Sequence, residues 1–350
     1  MDKSKAFRKC ASPRRMWRIC VAALATVAAT QVAAQDSACD FFKGKTVELS
    51  VPFEAGGGFD IYARMVAKFM AGELGAAHMI VRNEPGAGGL LGTNQTWKAE
   101  PDGLRIQLAF TGGMITAELG GAAGVGFRSN EFSWIGRITG EPDVIVKAPE
   151  SALRDADGLK ELSAERKIRI GSTGVGAGNY IEARLIAEIF DLDADIITGF
   201  SGAPEVYTSL ARNELDLFTA SLSGVQVAKK AGTADYLFVF SDKGIADMPE
   251  IKPLSEVVDA QYLPLVKAHS DVIAGGRALA APPGMTPERL QCLRDAFDRT
   301  MVSEGLQAES RQLNRPVEPL SGDEMAALVA GVTKDPLPEY MELLKSSFGN

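Results

Sequence analysis

The sequence is poor in the residues that metal proteins and many enzymes use for chemistry. Its 350 residues include 2 histidines, His78 and His269, and 4 cysteines. Isolated histidines and distant cysteines have none of the usual spacings of metal ligands. No glycine loop ends in Gly-Lys-Ser/Thr, and the run G-V-G-A-G-N from Gly174 has Asn179 where a dinucleotide fingerprint needs glycine. We therefore expect neither a metal nor a cofactor.

A surplus of positive charge is also missing once the amino terminus is set aside. Residues 1–34 hold 7 of the 37 basic residues and 1 of the 45 acidic ones, so the formal charge falls from −8 to −14 without them. No basic stripe remains that could neutralise phosphates. Nucleic acid is therefore excluded as a partner.

Those first 34 residues have the pattern of a secretory signal peptide. Lysines and arginines precede an apolar run from Ile19 to Ala29, and Val32, Ala33 and Ala34 offer small residues for cleavage. The run is too short to cross a bilayer. We expect an exported protein, cleaved near Ala34, of roughly 316 residues, which is enough for one large or two medium domains.

Two cysteines, Cys39 and Cys292, follow the predicted leader. Disulfides persist outside the cytoplasm, so we predict that these two cysteines pair. The alternative is two separate thiols, with Cys292 buried on the helix that Thr286 and Pro287 introduce.

The stretch from Val47 to Asp60, V-E-L-S-V-P-F-E-A-G-G-G-F-D, predicts a strand, a glycine turn and a helix. Apolar residues alternate up to Val51, and Pro52 ends the strand. Glycines let the backbone approach a ligand closely, and Asp60 is the predicted N-cap of a helix whose apolar face starts at Ile61. Free N–H groups at such a helix start suit an anion such as a carboxylate.

The same unit recurs along the chain, which predicts parallel sheets with helices on both faces and ligands at the carboxyl ends of the strands. We interpret Tyr236 to Phe240 as a strand that could lead back towards the first domain, and Met248 to Leu254 as a linker. The loops that follow predicted strands are Glu84 to Gly89, Thr111 to Gly113, Ser172 to Asn179, Ser201 to Pro204 and Ser221 to Gly224.

Three motifs in order resemble one family. The runs V-P-F-E-A-G-G-G-F-D from Val51, R-N-E-P-G-A-G-G from Arg82 and P-D-G from Pro101 are similar to the signature of the Bug (TctC-like) periplasmic solute receptors of tripartite tricarboxylate transporters. The resemblance implies an α/β, type II-like fold with two lobes and two crossovers. It places lobe 1 at residues 35–140, lobe 2 at 141–250, and a crossover linker with the rest of lobe 1 at 251–350.

The resemblance also implies a binding cleft. In the family the first loop holds a carboxylate group of the solute, largely through backbone N–H groups, and loops of the second lobe meet the opposite end. The ligand-binding residues predicted here are Phe53, Gly57, Gly58, Phe59, Asp60 and Thr111 on one side and Thr173, Gly178, Asn179, Ser201, Gly202 and Ala203 on the other.

Departures from the family pattern affect the expected ligand. Phe59 stands where a small or hydroxyl residue is usual, and Val175, Ala177 and Gly178 replace serines. Fewer hydroxyl donors and an added ring favour an aromatic or longer aliphatic acid. Alternatively, Phe59 packs under the first helix.

Two other functions compete with a receptor that delivers a small organic acid to transporter membrane subunits. The run G-F-S-G-A from Gly199 approaches the turn that exposes a serine nucleophile, here Ser201, with Asp216 and His269 following in hydrolase order, although Ala203 replaces the last glycine. The other is a receptor that reports to a sensor protein. A monomer is the default expectation.

Overall fold

Two six-stranded sheets flanked by helices make up the computed structural model, which describes residues 38–175 and 177–349. The predicted leader lies outside the described residues. The strands are β1 Thr46–Val51, β2 His78–Asn83, β3 Arg105–Phe110, β4 Ser133–Thr139, β5 Asp143–Lys147, β6 Ile168–Gly171, β7 Ala194–Ile197, β8 Leu217–Ser221, β9 Asp235–Val239, β10 Lys252–Pro253, β11 Arg277–Ala281 and β12 Leu320–Ser321. The helices are α1 Gly58–Leu74, α2 Leu90–Trp97, α3 Thr111–Leu119, α4 Ala156–Glu165, α5 Gly178–Ile189, α6 Ala203–Ala211, α7 Leu222–Lys230, α8 Leu263–Ile273, α9 Pro287–Val302, α10 Glu304–Leu313, α11 Gly322–Lys334 and α12 Pro338–Phe348.

Each sheet is mixed, and the two have matching plans. The first has the order β2-β1-β3-β11-β4-β12, with β1, β2 and β3 parallel and β11 antiparallel to both of its neighbours. The second has the order β7-β6-β8-β5-β9-β10, with β6, β7 and β8 parallel and β5 antiparallel to both of its neighbours. We call the first sheet with its helices lobe 1 and the second sheet with its helices lobe 2.

The chain passes between the lobes twice. It leaves the first sheet after β4 and enters the second at β5, and it returns between β10 and β11. Because parallel strands end at the same edge, the loops after β1 and β3 share one edge of lobe 1, and those after β6, β7 and β8 share one edge of lobe 2. The predicted two-lobed α/β architecture is confirmed.

Burial explains why the first strand and helix form where they do. Val47, Leu49 and Val51 are fully buried and alternate along β1, while Tyr62 and Val66 on α1 are fully buried in the same apolar cluster. A strand of period two feeding a helix of period 3.6 buries one face of each. This packing fixes the position of the glycine turn between them.

The predicted disulfide is present and is confirmed. Cys39 and Cys292 are bonded, with Cα atoms 5.4 Å apart, and they are separated by 253 residues in sequence. The bond joins the segment before β1 to α9, so both of its ends lie in lobe 1.

Four local predictions were wrong. The N-cap of α1 is Gly57 and not Asp60, because the helix starts at Gly58. Residues Thr111 to Gly113 open α3 directly after β3 instead of forming a loop. Strand β9 pairs with β5 and β10 within lobe 2, so it does not lead back to lobe 1, and the predicted linker contains β10. Residues Leu222 to Gly224 of the predicted loop Ser221 to Gly224 open α7 directly after β8.

Candidate functional site

The first loop, residues 52–57, joins β1 to α1 and is held in place by Asp60. The Gly56 N–H donates to Asp60 Oδ2 at 2.9 Å, and Arg64 Nη2 lies 2.9 Å from Oδ1. Burial by itself would raise the pKa of Asp60, but the hydrogen bonds from Arg64 and Gly56 outweigh it and hold this pKa below its ordinary value. Asp60, a predicted ligand residue, therefore stabilises the loop with its carboxylate.

Helix α1 starts without a side-chain cap among the described residues. Gly57 is the N-cap and has an extended backbone, with φ −78° and ψ 173°. The first N–H groups of the helix, including those of Gly58 and Phe59, have no acceptor within the helix. They can bind an anion, as the sequence predicts.

Three half-buried phenylalanine rings form an aromatic wall on lobe 1. Phe53 and Phe59 have ring centroids 4.6 Å apart, and Phe110 lies 5.9 Å from Phe53 and 5.5 Å from Phe59. The sequence predicts Thr111 as a ligand-binding residue but not its neighbour Phe110. Thr111 is fully buried, and its hydroxyl is 3.4 Å from the Gly275 carbonyl oxygen.

On lobe 2, the loop after β6 is organised by Asn179. Its Oδ1 accepts from the Ser172 hydroxyl at 2.9 Å and from the Thr173 N–H at 3.2 Å, and it lies 3.3 Å from Thr173 Oγ1. Asn179 is the second residue of α5, and Gly178 is the first. The Asn179 side chain thus fixes the loop that leads into this helix start.

The loop after β7 contains Ser201, Gly202 and Ala203. Glu205 Oε2 accepts from the Ser201 N–H at 2.7 Å and from its hydroxyl at 2.9 Å. Gly202 is the N-cap of α6. The loop shares an edge with the Asn179 loop, because β7 pairs with β6 and the Ser172 N–H donates to the Ile197 carbonyl at 2.8 Å.

The two lobes meet where the aromatic wall faces α5. A Cβ added at Gly178 would lie 2.6 Å from Phe110 Cζ and 3.1 Å from Cε1. Only glycine allows this approach. The structure thus brings Phe53, Phe59 and Phe110 together on one side and places Gly178 and Asn179 opposite them.

Arg277 and Glu141 lie between the lobes and were missed by the sequence analysis. Arg277 Nη1 donates to Glu141 Oε1 at 2.8 Å, and Nη2 donates to Ser221 Oγ at 3.1 Å. The guanidinium carbon of Arg277 lies 4.9 Å from the Phe59 ring centroid. No sequence signal marks either residue, because a charge at the start of a strand or beside a crossover is ordinary by pattern alone.

A set of buried titratable side chains lies behind α5. His269 Nδ1 is 2.8 Å from the Tyr340 hydroxyl, and its Nε2 is 3.4 Å from Glu182 Oε1. Burial raises the pKa of Glu182 to about 7 and lowers that of His269 to about 4. Burial, followed by the charge of Glu182, raises the pKa of Asp143 well above its usual range. These groups therefore favour their neutral forms.

The serine, aspartate and histidine of the hydrolase alternative do not form a triad. Ser201 is exposed and bonded to Glu205, Asp216 pairs with Arg166 and Arg169, and His269 is buried on α8. A nucleophilic serine needs the histidine within hydrogen-bond reach. Ser201 has a structural partner instead.

Neither a metal site nor a membrane span is found in the part of the chain that the structure describes. Its His, Cys, Asp and Glu side chains form no group of three or more that could hold a metal ion. None of its helices combines the length and the apolar character needed to cross a bilayer.

Known proteins match this chain over most of its length. A family model described as the tripartite tricarboxylate transporter family receptor matches residues 62–326. A curated protein of Bordetella pertussis, BugT, is 23% identical over 288 residues, covering 80% of this chain and 83% of its own length.

Two solved structures share the fold. The periplasmic binding protein BugD has a TM-score of 0.69 at 23% identity, covering 87% of this chain and 97% of its own. MatC from Rhodopseudomonas palustris with bound malate has a TM-score of 0.70 at 19% identity, covering 86% of this chain and 99% of its own.

Proposed function

The chain belongs to the tripartite tricarboxylate transporter receptor family, a family of solute-binding proteins and not of enzymes, and on that premise we propose that it captures a small organic acid in the cleft between its lobes. It would then deliver the acid from the periplasm to the membrane subunits of a transporter of this type. The solute has an aromatic or longer aliphatic body. MatC, which has the same fold, holds malate.

One observation supports this proposal most strongly: uncapped helix starts from both lobes lie beside an aromatic wall. Helices α1 and α5 begin without a side-chain cap among the described residues. Their first N–H groups can hold oxygen atoms of an acid. Phe53, Phe59 and Phe110 provide apolar surface next to α1 for the rest of the solute.

The loop after β6 on lobe 2, residues 172–179, contains no charged residue. Thr173 and Asn179 bond to each other, and Val175 between them is 60% exposed. An exposed valine at a helix entry offers apolar contact instead of a hydroxyl donor. This supports a solute that is less polar than a citrate-like acid.

The test is a thermal-shift screen of the protein expressed from Gln35 against aliphatic and aromatic carboxylates. A ligand that binds only the folded state raises the melting temperature by mass action. We expect at least one class of acid to give a clear shift, and uncharged amides of the same acids to give a smaller one. A screen in which no acid raises the melting temperature would contradict the proposal.

A substitution at Gly57 locates the acid. Aspartate is compatible with the extended backbone there and would cap α1 with the protein's own carboxylate. Gly57→Asp should therefore keep or raise the melting temperature without ligand and abolish the shift with acid. Gly57→Ala is the matched control and should retain the shift, since an added Cβ meets only the Glu54 carbonyl oxygen, at 3.7 Å. An undiminished shift in Gly57→Asp would place the acid elsewhere.

A further inference from the structure

Helix α7 differs from α1 and α5 because a carboxylate of the protein occupies its start. Glu141 lies in the crossover between β4 and β5 and is 8% exposed. Its Oε2 accepts from the Ser223 N–H at 2.6 Å, and its Oε1 accepts from the Ser223 hydroxyl at 2.9 Å. Ser223 is the second residue of α7, so Glu141 fills the anion position at this helix start.

Arg315 Nη1 donates to the Ser223 hydroxyl at 3.2 Å, and Arg277 completes the surroundings of that carboxylate. Its Nη1 donates to Glu141 Oε1 at 2.8 Å, while its side chain reaches lobe 2 at Ser221 and packs against the Phe59 ring. Arg277 is 9% exposed, and its Nε has no hydrogen-bond acceptor among the described residues. A guanidinium, a helix N–H and a serine hydroxyl around one carboxylate are the groups that a receptor would use to hold the acid group of a solute.

We propose that Glu141 is an internal carboxylate that fills a second acid site of the cleft, so that the receptor selects solutes with one carboxylate over those with two. This inference rests on the proposed function, because it assumes that the first loop holds the solute's acid group. Glu141 and Arg277 act here as residues that determine specificity.

Charge explains the selectivity. A second solute carboxylate that approached Arg277 would meet Glu141 at close range in a site largely shielded from water, where like charges repel strongly. Arg277 is already neutralised by Glu141, so it offers little net attraction to a second anion. Its Nε, which has no acceptor among the described residues, suits an uncharged acceptor such as a hydroxyl or carbonyl oxygen of the solute.

The test compares acids that differ only in the second carboxylate: hexanoate with adipate, and benzoate with terephthalate. Dissociation constants are measured by calorimetry for the wild type and for Glu141→Gln. We expect the wild type to bind the mono-acid of at least one pair at least tenfold more tightly than the di-acid. In Glu141→Gln the ratio of di-acid to mono-acid affinity should rise at least tenfold, because Arg277 becomes available to the second carboxylate.

The double variant Glu141→Gln/Arg277→Gln is the control for charge. It removes both members of the pair, so the gain of di-acid affinity should disappear. If Glu141→Gln proves too unstable to measure, the dissociation constants of the wild type still test the inference. A wild type that binds the di-acid as tightly as the mono-acid in both pairs overturns it. An unchanged ratio in a folded Glu141→Gln variant overturns it as well.

The outcomes separate this inference from the proposed function. Mono-acid binding by the wild type without the expected change of ratio contradicts only the role of Glu141. Failure of every acid to bind either protein contradicts the receptor proposal itself, and the inference with it.

Discussion

The two lobes share a sheet plan but present different chemistry to the cleft. Lobe 1 contributes three phenylalanine rings and Arg277, whereas lobe 2 contributes hydroxyl and amide groups that mostly bond to one another. A solute between them would meet apolar surface on one side and polar loops on the other. The two lobes thus have similar backbones but form an apolar and a polar side of the site. The side chains that follow equivalent strands determine this difference.

The lobes also differ in how they are stabilised. Lobe 1 contains the bond between Cys39 and Cys292. Lobe 2 contains the buried Glu182 and the half-buried Asp143, which favour their neutral forms. Lobe 1 is therefore stabilised by a covalent link, whereas lobe 2 should respond to pH.

Removal of the disulfide should weaken lobe 1 most. The change is Cys39→Ser with Cys292→Ser, which frees a loop of 253 residues in the unfolded chain. We expect a loss of about 3 to 5 kcal/mol of unfolding free energy, or roughly 6 to 15 °C in the melting temperature of that lobe. Calorimetry with hydrogen exchange would measure it. Exchange in β6 and β8 of lobe 2 is the internal control, and an unchanged melting curve would show that the bond adds no stability.

Glu182→Gln should change how stability depends on pH. Burial raises the pKa of Glu182 to about 7, so the folded state binds this proton more tightly than the unfolded chain, and the Glu182 contribution is lost as pH rises from 4.5 through 7. His269 acts in the opposite direction: its pKa of about 4 makes its contribution grow as pH rises from 4 to 6.5. The wild type and the Glu182→Gln variant both have the His269 contribution, whereas only the wild type has the Glu182 contribution.

The variant should therefore gain stability relative to the wild type between pH 5 and pH 8, by up to about 3 kcal/mol. Because Asp143 and Glu182 interact, the midpoint of this change belongs to the pair. Urea unfolding at several pH values measures it. Glu188→Gln, at an exposed position of the same helix, is the matched control. Parallel curves for wild type and Glu182→Gln would contradict the assignment.

Gly178→Leu should prevent the close approach of the lobes. An added Cβ would lie 2.6 Å from Phe110, so the aromatic wall and α5 could not meet as they do. We expect acid binding to weaken by about 100-fold or more, equivalent to roughly 3 kcal/mol. Leucine is a good helix former, so the melting temperature without acid should not fall. Gly331→Leu is the control, since a Cβ there meets nothing within 4 Å. Nearly normal binding by Gly178→Leu would show that this contact is not part of the bound state.

The architecture could be predicted from the sequence because its signals are local and repeated. Alternation along β1, glycine loops after strands and Pro287 after Thr286 each depend on a few neighbouring residues, and the structure has β1 and α9 at those places. Thr111 to Gly113 show where this reasoning failed. A Cβ at Gly113 would lie 2.4 Å from Phe110 Cδ1, so this glycine serves close packing in a helix and not a turn.

The contacts of Arg277 and Glu141 between the lobes could not be predicted, because they join residues far apart in sequence. Arg277 meets Glu141 across 136 residues and Ser221 across 56. A single sequence contains no signal that pairs them. The predicted Phe59, by contrast, is next to the glycine turn, and local reasoning could place it near the cleft while leaving open whether it packs or binds. The structure shows it half-buried between Phe53, Phe110 and Arg277.

Phe110→Leu should have the smallest effect and should distinguish a ring contact from general apolar contact. Leucine keeps most of the apolar volume but removes the ring that faces Phe59 at 5.5 Å and approaches Gly178. If the solute is aromatic, we expect its affinity to fall about 3- to 10-fold, since a ring pair adds about 0.5 to 1.5 kcal/mol beyond area burial. Hexanoate should lose less, because it has no ring to pair. Calorimetry with benzoate and hexanoate measures both, and Phe69→Leu, at a half-buried position near Gly305, is the control. Equal losses for the two acids would mean that Phe110 provides only volume, and the preference of lobe 1 for an aromatic body would then have to come from Phe53 and Phe59.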